Sequence, residues 1–309
     1  MREFNHALSG EDVPSARDRV ERALAADPDN HEAHYLWGKI LASERKYTEA
    51  MESFDRSLSL SPVYKEEILF TLESNYRSEF NSANKALNEG RYAKAVDHLD
   101  AASRIYPERW EKYPLKGEAH RELGQYALAR ESFERCIDIP KMHRYCAVNM
   151  ALTYFQDREF DDAVRIAEKH LETFPSDRNL LKIAAYANLE TGDIASAESH
   201  FSRYMDAGTT YEALLQFAID LNNKGELYAA ERFFILCLNV EPYDKEVLSA
   251  LSSIYLETGN FDLMAEANER LLSLDPNNAK VKEQLLLAYE LSGNMEGYRT
   301  LQNGHDNND

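Results

Sequence analysis

The sequence predicts an all-α fold made of stacked antiparallel helix pairs. Three observations predict it: a turn residue that recurs with a period close to 34 residues, a fixed order of large and small side chains after that turn, and a proline that follows each pair. A period of this length, held over seven or eight units, is typical of a helical solenoid in which each unit packs only on its neighbours.

The recurring turn stands just before the second helix of each pair. Glycine accepts the left-handed backbone that ends a helix because it has no Cβ atom. Successive turn glycines are 34, 68, 33, 34 and 34 residues apart. Arg158 fills the slot that the longest step skips, and Arg45 lies one longer step upstream. The turn glycines are Gly90, Gly124, Gly192, Gly225, Gly259 and Gly293.

Side chains of contrasting size follow each turn at fixed positions. A small residue lets two helices approach closely, and a large residue four positions later lies on the same helix face and fills the gap between pairs. The small residues are Ala50, Ala95, Ala129, Ala163, Ala197 and Ala230, and Met264 breaks the series. The residues four positions later are Phe54, Leu99, Phe133, Ala167, Phe201 and Phe234. The prolines after the second helices are Pro28, Pro62, Pro107, Pro140, Pro175, Pro242 and Pro276.

This pattern resembles the tetratricopeptide repeat (TPR) family over roughly residues 1–301. The clearest unit runs from His31 to Tyr64, and its Gly38, Ala50 and Phe54 stand in the signature slots of the family. The resemblance implies a single right-handed superhelical solenoid of about eight units, with the first helices on the concave face. We expect a clipped first unit at 1–30, a capping unit at 279–301 and a disordered polar tail at 302–309.

An insertion lengthens one step of the repeat to 45 residues. The extra residues, Lys65 to Asn75, amount to about three helical turns. Apolar residues at 68, 72, 76 and 80 continue at a spacing of four into the next first helix, which predicts one long helix from Lys65 to Glu89. Two interpretations remain open: the apolar stripe packs on the adjacent pair, or it forms an exposed ridge for a partner.

The acidic net charge argues against nucleic acid as a partner, because nucleic-acid binding needs a basic surface. The formal net charge is −19, and residues 146–244 hold 17 acidic and 8 basic side chains. This excess is either a solvated surface that favours solubility or an attraction for basic segments. No signal peptide or apolar run of membrane-spanning length is visible, so we expect a cytoplasmic protein. A periplasmic or membrane-anchored protein, processed from a longer precursor, is the alternative.

Sequence motifs of catalysis or of cofactor binding do not occur, so no enzyme activity and no cofactor are predicted. Three cysteines are too few and too odd in number for a disulfide framework, and Cys136 and Cys237 are expected to be free core residues. His31 and His34 lie three residues apart, but a solvated helix start explains them better than a metal site.

A ligand is expected on the open face of the first helices, which helical geometry assigns to positions 2, 5, 6, 9, 12 and 13 of the repeat. Asparagine amides there can donate to and accept from a peptide backbone, and tyrosines offer flat contact area. A carboxylate clamp of the kind some family members carry is not expected, because the lysines and arginines do not fall in adjacent slots. The candidate residues are Tyr35, Lys39, Arg77, Asn81, Asn84, Tyr145, Asn149, Lys182 and Tyr186.

Two functions follow from this pattern. The first is a scaffold that binds a peptide or helix of a partner protein in the concave groove. The alternative is a structural assembly subunit that docks through the convex face or through the helix at 65–89; a processed extracytoplasmic lipoprotein is a further possibility. The sequence leaves the partner and the oligomeric state open.

Overall fold

The computed structural model describes residues 13–208 and 210–303, and the expectations for the clipped first helix and for residues 304–309 of the tail lie outside them. The described residues form 17 α-helices and no strand. The first nine are α1 (Val13–Ala26), α2 (His31–Ser43), α3 (Tyr47–Leu60), α4 (Lys65–Asn88), α5 (Tyr92–Ile105), α6 (Lys112–Glu122), α7 (Tyr126–Ile137), α8 (His143–Gln156) and α9 (Phe160–Leu171). The others are α10 (Arg178–Thr191), α11 (Ile194–Asp206), α12 (Tyr211–Asn223), α13 (Leu227–Val240), α14 (Lys245–Thr258), α15 (Phe261–Leu274), α16 (Ala279–Ser292) and α17 (Met295–Asn303).

The chain divides into two compact units, Met1–Ile166 (unit 1) and Ala167–Asp309 (unit 2). In unit 1, α2 packs on α3, α4 on α5 and α6 on α7, and α8 follows against α7. In unit 2, α10 packs on α11, α12 on α13, α14 on α15 and α16 on α17. The predicted all-α fold of stacked helix pairs is therefore confirmed, whereas the single continuous solenoid stays a prediction.

The turns before the second helices adopt the left-handed backbone that the glycine spacing predicted. The φ angle is +68° at Gly90 and +83° at Gly192. Within the described part of the chain, the non-glycine residues with positive φ are Arg45 (+60°) and Arg158 (+62°), which occupy the two turn slots without glycine. A side chain in this conformation costs free energy, so each arginine needs a compensating contact or leaves its turn strained.

Small residues bring the helices of a pair together over a buried aromatic ring. Gly38 on α2 faces Phe54 on α3, and Gly117 on α6 faces Phe133 on α7. Both rings are almost fully buried, as are the alanines that precede them by four positions. A methyl group added at Gly117 would lie 2.6 Å from the Phe133 ring, inside van der Waals contact. The repeat therefore uses glycine here for space and not for backbone freedom.

We expect Gly117→Ala to destabilise unit 1 by about 1–3 kcal/mol, because the new methyl group overpacks the core at the Phe133 ring. The measurement is the free energy of unfolding in urea. Gly124→Ala is the contrasting variant: a Cβ atom there meets no atom within 4 Å, but the φ of +70° strains the backbone. Adding Phe133→Leu should restore part of the stability lost in Gly117→Ala and none of that lost in Gly124→Ala.

The inserted residues form the first turns of α4, a single helix that follows a short 3₁₀ turn at Pro62–Tyr64. Its apolar stripe is buried: Ile68, Leu72 and Tyr76 join one core cluster with residues of α2, α3 and α5. The Arg109 guanidinium lies 4.4 Å from the Tyr76 ring centroid. The stripe therefore packs on adjacent helices, as the first of the two interpretations held, while Phe70 on the opposite side is 77 % exposed.

The prediction of free cysteines is wrong for Cys136. The structure joins Cys136 at the end of α7 to Cys146 on α8 in a disulfide with a Cα–Cα distance of 6.1 Å. Both residues are fully buried, so the bond lies in the core between two successive pairs. Cys237 is free and buried on α13, as expected.

Candidate functional site

The first helices of unit 1 lie side by side, since α2 contacts α4, α4 contacts α6, and α6 contacts α8. Residues at equivalent positions of successive repeats therefore share one surface. Asn81 and Asn149 occupy one such position, and Asn84 and Glu118 occupy another. We call the surface formed by Arg77, Asn81, Asn84, Glu118, Arg121, Tyr145 and Asn149 the first-helix face.

Polar contacts bridge α6 and α8 on this face. The Tyr145 hydroxyl donates to the Glu118 carboxylate (3.1 Å), and the Arg121 guanidinium donates to the Asn149 side-chain oxygen. The Asn149 amide nitrogen donates to the backbone carbonyl of Tyr145 (2.8 Å). Burial and the neighbouring carboxylate of Glu118 raise the pKa of Tyr145 to about 12, so its hydroxyl stays a neutral donor at physiological pH. These side chains are held in place before any ligand arrives.

The side chains of the first-helix face that lie on α4 make fewer hydrogen bonds than those on α6 and α8. Asn81 is exposed, and its side chain makes no hydrogen bond to the other residues that the structure describes. The Asn84 amide nitrogen donates to the Phe80 carbonyl at 3.0 Å, which leaves its oxygen for a ligand. Arg77 is exposed and forms an ion pair with Glu73 at 2.7 Å. Asn81 is thus the candidate amide with both donor and acceptor available.

The expectation that Tyr35 offers contact area to a ligand is corrected by its burial. Tyr35 is 3 % exposed, and its ring stacks on the Tyr64 ring at a centroid distance of 4.3 Å. The 3₁₀ turn before α4 supplies Tyr64, so the end of the same repeat covers the Tyr35 position. Lys39, one turn further along α2, lies over the Tyr35 ring, and burial lowers the pKa of its ammonium group.

Two candidate residues lie in unit 2, on α10. Lys182 is exposed, and its ammonium group lies 5.8 Å from the Tyr186 ring centroid. Tyr186 is half-buried, with its ring edge-on to Phe217 of α12 at 5.5 Å. Burial and the nearby Asp220 carboxylate raise the pKa of Tyr186. These residues form a small patch of their own in unit 2.

A buried carboxylate in unit 1 escaped the sequence analysis. Glu79 on α4 is 5 % exposed and accepts hydrogen bonds from Arg45, Tyr47 and His98. The signal in the sequence was Arg45 itself, an arginine in a turn slot where glycine is usual. The network joins the turn after α2 to the next repeat, so its role is to hold successive pairs together.

Grouped metal-ligand side chains do not occur among the residues that the structure describes. The His34 ring nitrogen Nε2 lies 2.9 Å from the Pro28 carbonyl oxygen, so this histidine fixes the start of its helix. In the same part of the chain, no helix is long and apolar enough to cross a membrane. The arrangement on the first-helix face can donate and accept hydrogen bonds and pack an aromatic ring, which is the chemistry of peptide recognition.

Family models of one description match most of the chain. A tetratricopeptide repeat family model matches residues 1–64, 80–140 and 148–212, and a second model with the same description matches residues 246–278. Together they cover well over half of the chain. No curated protein sequence matches the chain.

Three solved structures of similar fold are distant from this chain in sequence. The C-terminal part of a TPR repeat-containing protein from Cytophaga hutchinsonii is 16 % identical, with a TM-score of 0.53; the match covers 81 % of this chain and 99 % of that one. PilF from Pseudomonas aeruginosa is 14 % identical, with a TM-score of 0.45, over 69 % of this chain and 97 % of that one. YrrB, described as a TPR protein with an unusual peptide-binding site, is 15 % identical, with a TM-score of 0.40, over 61 % and 92 %. At these identities the likeness concerns the fold alone.

Proposed function

Because the chain belongs to the tetratricopeptide repeat family, we propose that it is a scaffold that holds a peptide or helix of a partner protein on the first-helix face of unit 1. The observation that carries the proposal is the pair of contacts from α8 to α6, Tyr145 to Glu118 and Asn149 to Arg121. They fix donors and acceptors across two repeats, which lowers the entropy lost when a ligand binds.

The ligand chemistry follows from the groups on that face. Asn81 offers an amide donor and an acceptor to a peptide backbone, and Tyr145, 38 % exposed, offers an aromatic surface. Lys182 and Tyr186 are a separate candidate contact point within unit 2. The acidic excess of residues 146–309 favours a ligand with basic side chains near that end. No catalytic step belongs to this function.

The test is affinity capture from native lysate with wild-type protein and with an Asn81→Ala, Asn149→Ala double variant. Proteins that bind the first-helix face should be captured at least about tenfold less by the variant, since it loses the free amide of Asn81 and the Arg121–Asn149 contact that orders the face. Asn277→Ala, at an exposed turn position before α16, is the matched control and should capture them unchanged. Equal capture by all three proteins would rule out this face.

A second candidate function, docking as an assembly subunit, is favoured by one observation on α4 and the turn before it. Phe70 is 77 % exposed, Val63 is 60 % exposed and Leu69 is 43 % exposed. A Phe70→Glu variant that loses a co-purifying subunit, while Asn81→Ala retains it, would favour this function over the peptide scaffold.

The disulfide motivates a proposal on location. Disulfides persist in oxidising compartments and are rare in the cytosol, so we propose that the protein matures in an oxidising compartment and not in the cytoplasm that its sequence favoured. Labelling of denatured, unreduced native protein with a maleimide reagent should modify one thiol per chain, that of Cys237. Modification of all three cysteines would contradict the proposal.

A further inference from the structure

Two clefts in the molecule occupy the same place in the repeat. One lies in unit 1 between the second helices α5 and α7, with α6 as its floor; the other lies in unit 2 between α13 and α15, with α14 as its floor. Nine lining residues of each cleft correspond when the chain is aligned on Gly124 and Gly259. The pairs that differ in chemistry are Asp100 and Ile235, Ser103 and Leu238, Tyr113 and Leu248, Lys116 and Leu251, His120 and Tyr255, and Ser132 and Ala267.

The unit 1 cleft is lined by polar side chains, and two ion pairs lie on its walls. The Lys116 ammonium group forms an ion pair with the Asp100 carboxylate at 2.6 Å. Arg135 forms an ion pair with Glu131 at 3.2 Å and also donates to the Tyr113 hydroxyl. Water can hydrogen-bond to these polar groups, so exposure of this cleft to solvent costs little free energy. The cleft therefore gives no reason to expect a bound partner.

The unit 2 cleft is apolar at the matching positions. Ile235 and Leu263 on its two walls are 42 % and 41 % exposed; Leu238 also lies on the α13 wall, and Leu248 and Leu251 lie on the floor. Its volume is 360 Å³. A cavity of about 150 Å³ accommodates benzene, so this cleft has room for about two ring-sized side chains. Apolar side chains that stay exposed to water, as Ile235 and Leu263 do at the rim of this cleft, are typical of an interaction site.

Two carboxylates lie at one end of this cleft, near Tyr255. Burial, Glu231 and Glu266 together raise the pKa of Tyr255 to about 12, which places both carboxylates beside the end of the cleft. The Arg270 guanidinium is already engaged with the Pro242 carbonyl. From α13 to α15, residues 227–274, the chain has 8 acidic and 3 basic side chains. The electrostatic complement of this surface is a positively charged partner.

We propose that the cleft between α13 and α15 docks an amphipathic helix with a basic polar face and two large apolar side chains one helical turn apart. A helix fits because it places side chains at i and i+4 on one face, as in helix-in-groove recognition. A second copy of this chain is disfavoured as occupant by its net charge of −19. Residues 1–12, with one basic and three acidic side chains, and residues 304–309, with two acidic and no basic ones, do not supply the charge either.

The test is fluorescence anisotropy with a labelled synthetic peptide of about 18 residues, with leucine on one helix face and lysine on the other. We expect wild-type protein to bind it with a dissociation constant on the order of 10 μM, as is usual for a small interface. Ile235→Asp with Leu238→Ser, which introduces the residues of the unit 1 cleft, should weaken binding at least about tenfold. Leu236→Asp is the matched control: it is an exposed leucine on α13 outside the cleft lining, and it should change binding less than about twofold.

Two further peptides separate this site from general charge attraction to an acidic protein. A leucine–glutamate peptide of the same pattern and a scrambled leucine–lysine peptide should both bind at least about tenfold more weakly. Equal binding of the scrambled peptide, or equal weakening by Leu236→Asp, would overturn the proposal. So would unchanged binding by the double variant, provided that its circular dichroism and melting match the wild type.

Sedimentation velocity tests a second copy as the occupant. We expect wild-type protein to sediment as a monomer, because the net charge opposes self-association through this cleft. A concentration-dependent dimer that disappears in Ile235→Asp with Leu238→Ser would assign the cleft to self-association and overturn the helix proposal. This site uses another unit and another side of the repeat than the first-helix face, so either proposal can fail alone.

Discussion

We expect Glu79→Ala to lower the free energy of unfolding of unit 1 by about 2–3 kcal/mol, the range expected when a buried carboxylate is removed and its hydrogen-bond donors lose their acceptor. The Glu79 carboxylate accepts from Arg45 Nε at 2.7 Å, from the Tyr47 hydroxyl at 2.6 Å and from His98 at 2.6 Å. Its removal leaves the buried Tyr47 hydroxyl without its acceptor and removes the ion pair that opposes the strain at Arg45. The measurement is urea unfolding followed by circular dichroism.

Three variants serve as controls for this prediction. Glu52→Ala, an exposed glutamate on α3, should change stability by less than about 0.5 kcal/mol. Arg158→Gly should stabilise or leave stability unchanged, because glycine relieves the left-handed backbone. Arg45→Gly relieves the same strain but should still destabilise, since Glu79 loses its main cation. A loss below about 1 kcal/mol in Glu79→Ala would contradict the importance given to this network.

The same network gives a pH dependence. Burial alone would raise the pKa of Glu79, but hydrogen bonds from Arg45, His98 and Tyr47 outweigh it and lower the pKa below its usual value. A lowered pKa in the folded state means that the contribution of Glu79 is present above a pH of about 4.3 and declines as the pH falls through the lowered value. Acid destabilisation of unit 1 should therefore be shallower in Glu79→Gln than in the wild type.

Replacement of both Cys136 and Cys146 by alanine should destabilise unit 1 by about 2–3 kcal/mol. The bond closes a short loop in the unfolded chain, with a separation of 10 residues, and removal of such a cross-link restores conformational entropy to the unfolded state. The measurement is urea unfolding with and without a reducing agent. Reduction should destabilise the wild type by a similar amount and leave the double variant unchanged.

Cys237→Ala is the control for the disulfide. It removes a buried free thiol, so it creates a small cavity but should retain the full response to the reducing agent. An identical unfolding midpoint of the wild type with and without reductant would contradict the contribution given to the bond.

The helix pairs were predictable from the sequence because their signals are local and repeated. Each helix pair contains its own left-handed turn and its own small residue that packs against a large one. Gly90 and Ala95 could therefore be assigned to these positions without knowing which other helices lie nearby. The long helix α4 was likewise predictable from apolar residues that recur every four positions. The ion pair of Arg45 was not predictable, because its partner Glu79 lies 34 residues away.

The site was less predictable because its slots were assigned from an ideal helix. Tyr35 falls in an open slot by that geometry, yet Tyr64 of the 3₁₀ turn before α4 covers it. The disulfide had a signal that went unused: Cys136 and Cys146 hold the repeat positions of Leu271 and Val281, which share one core cluster in unit 2. The cleft of unit 2 could not be predicted, because its lining residues come from three helices that meet only in the folded chain.

The most direct test of the central claim is photo-crosslinking in native cells, with a photoreactive residue placed at position 81 on the first-helix face or at position 104 on the second helix α5. Both Asn81 and Arg104 are exposed, so the two probes are matched in accessibility. We expect position 81 to crosslink a defined partner protein and position 104 to give none of it. The same partner crosslinked from position 104, with nothing from position 81, would contradict the claim that the first-helix face holds the ligand.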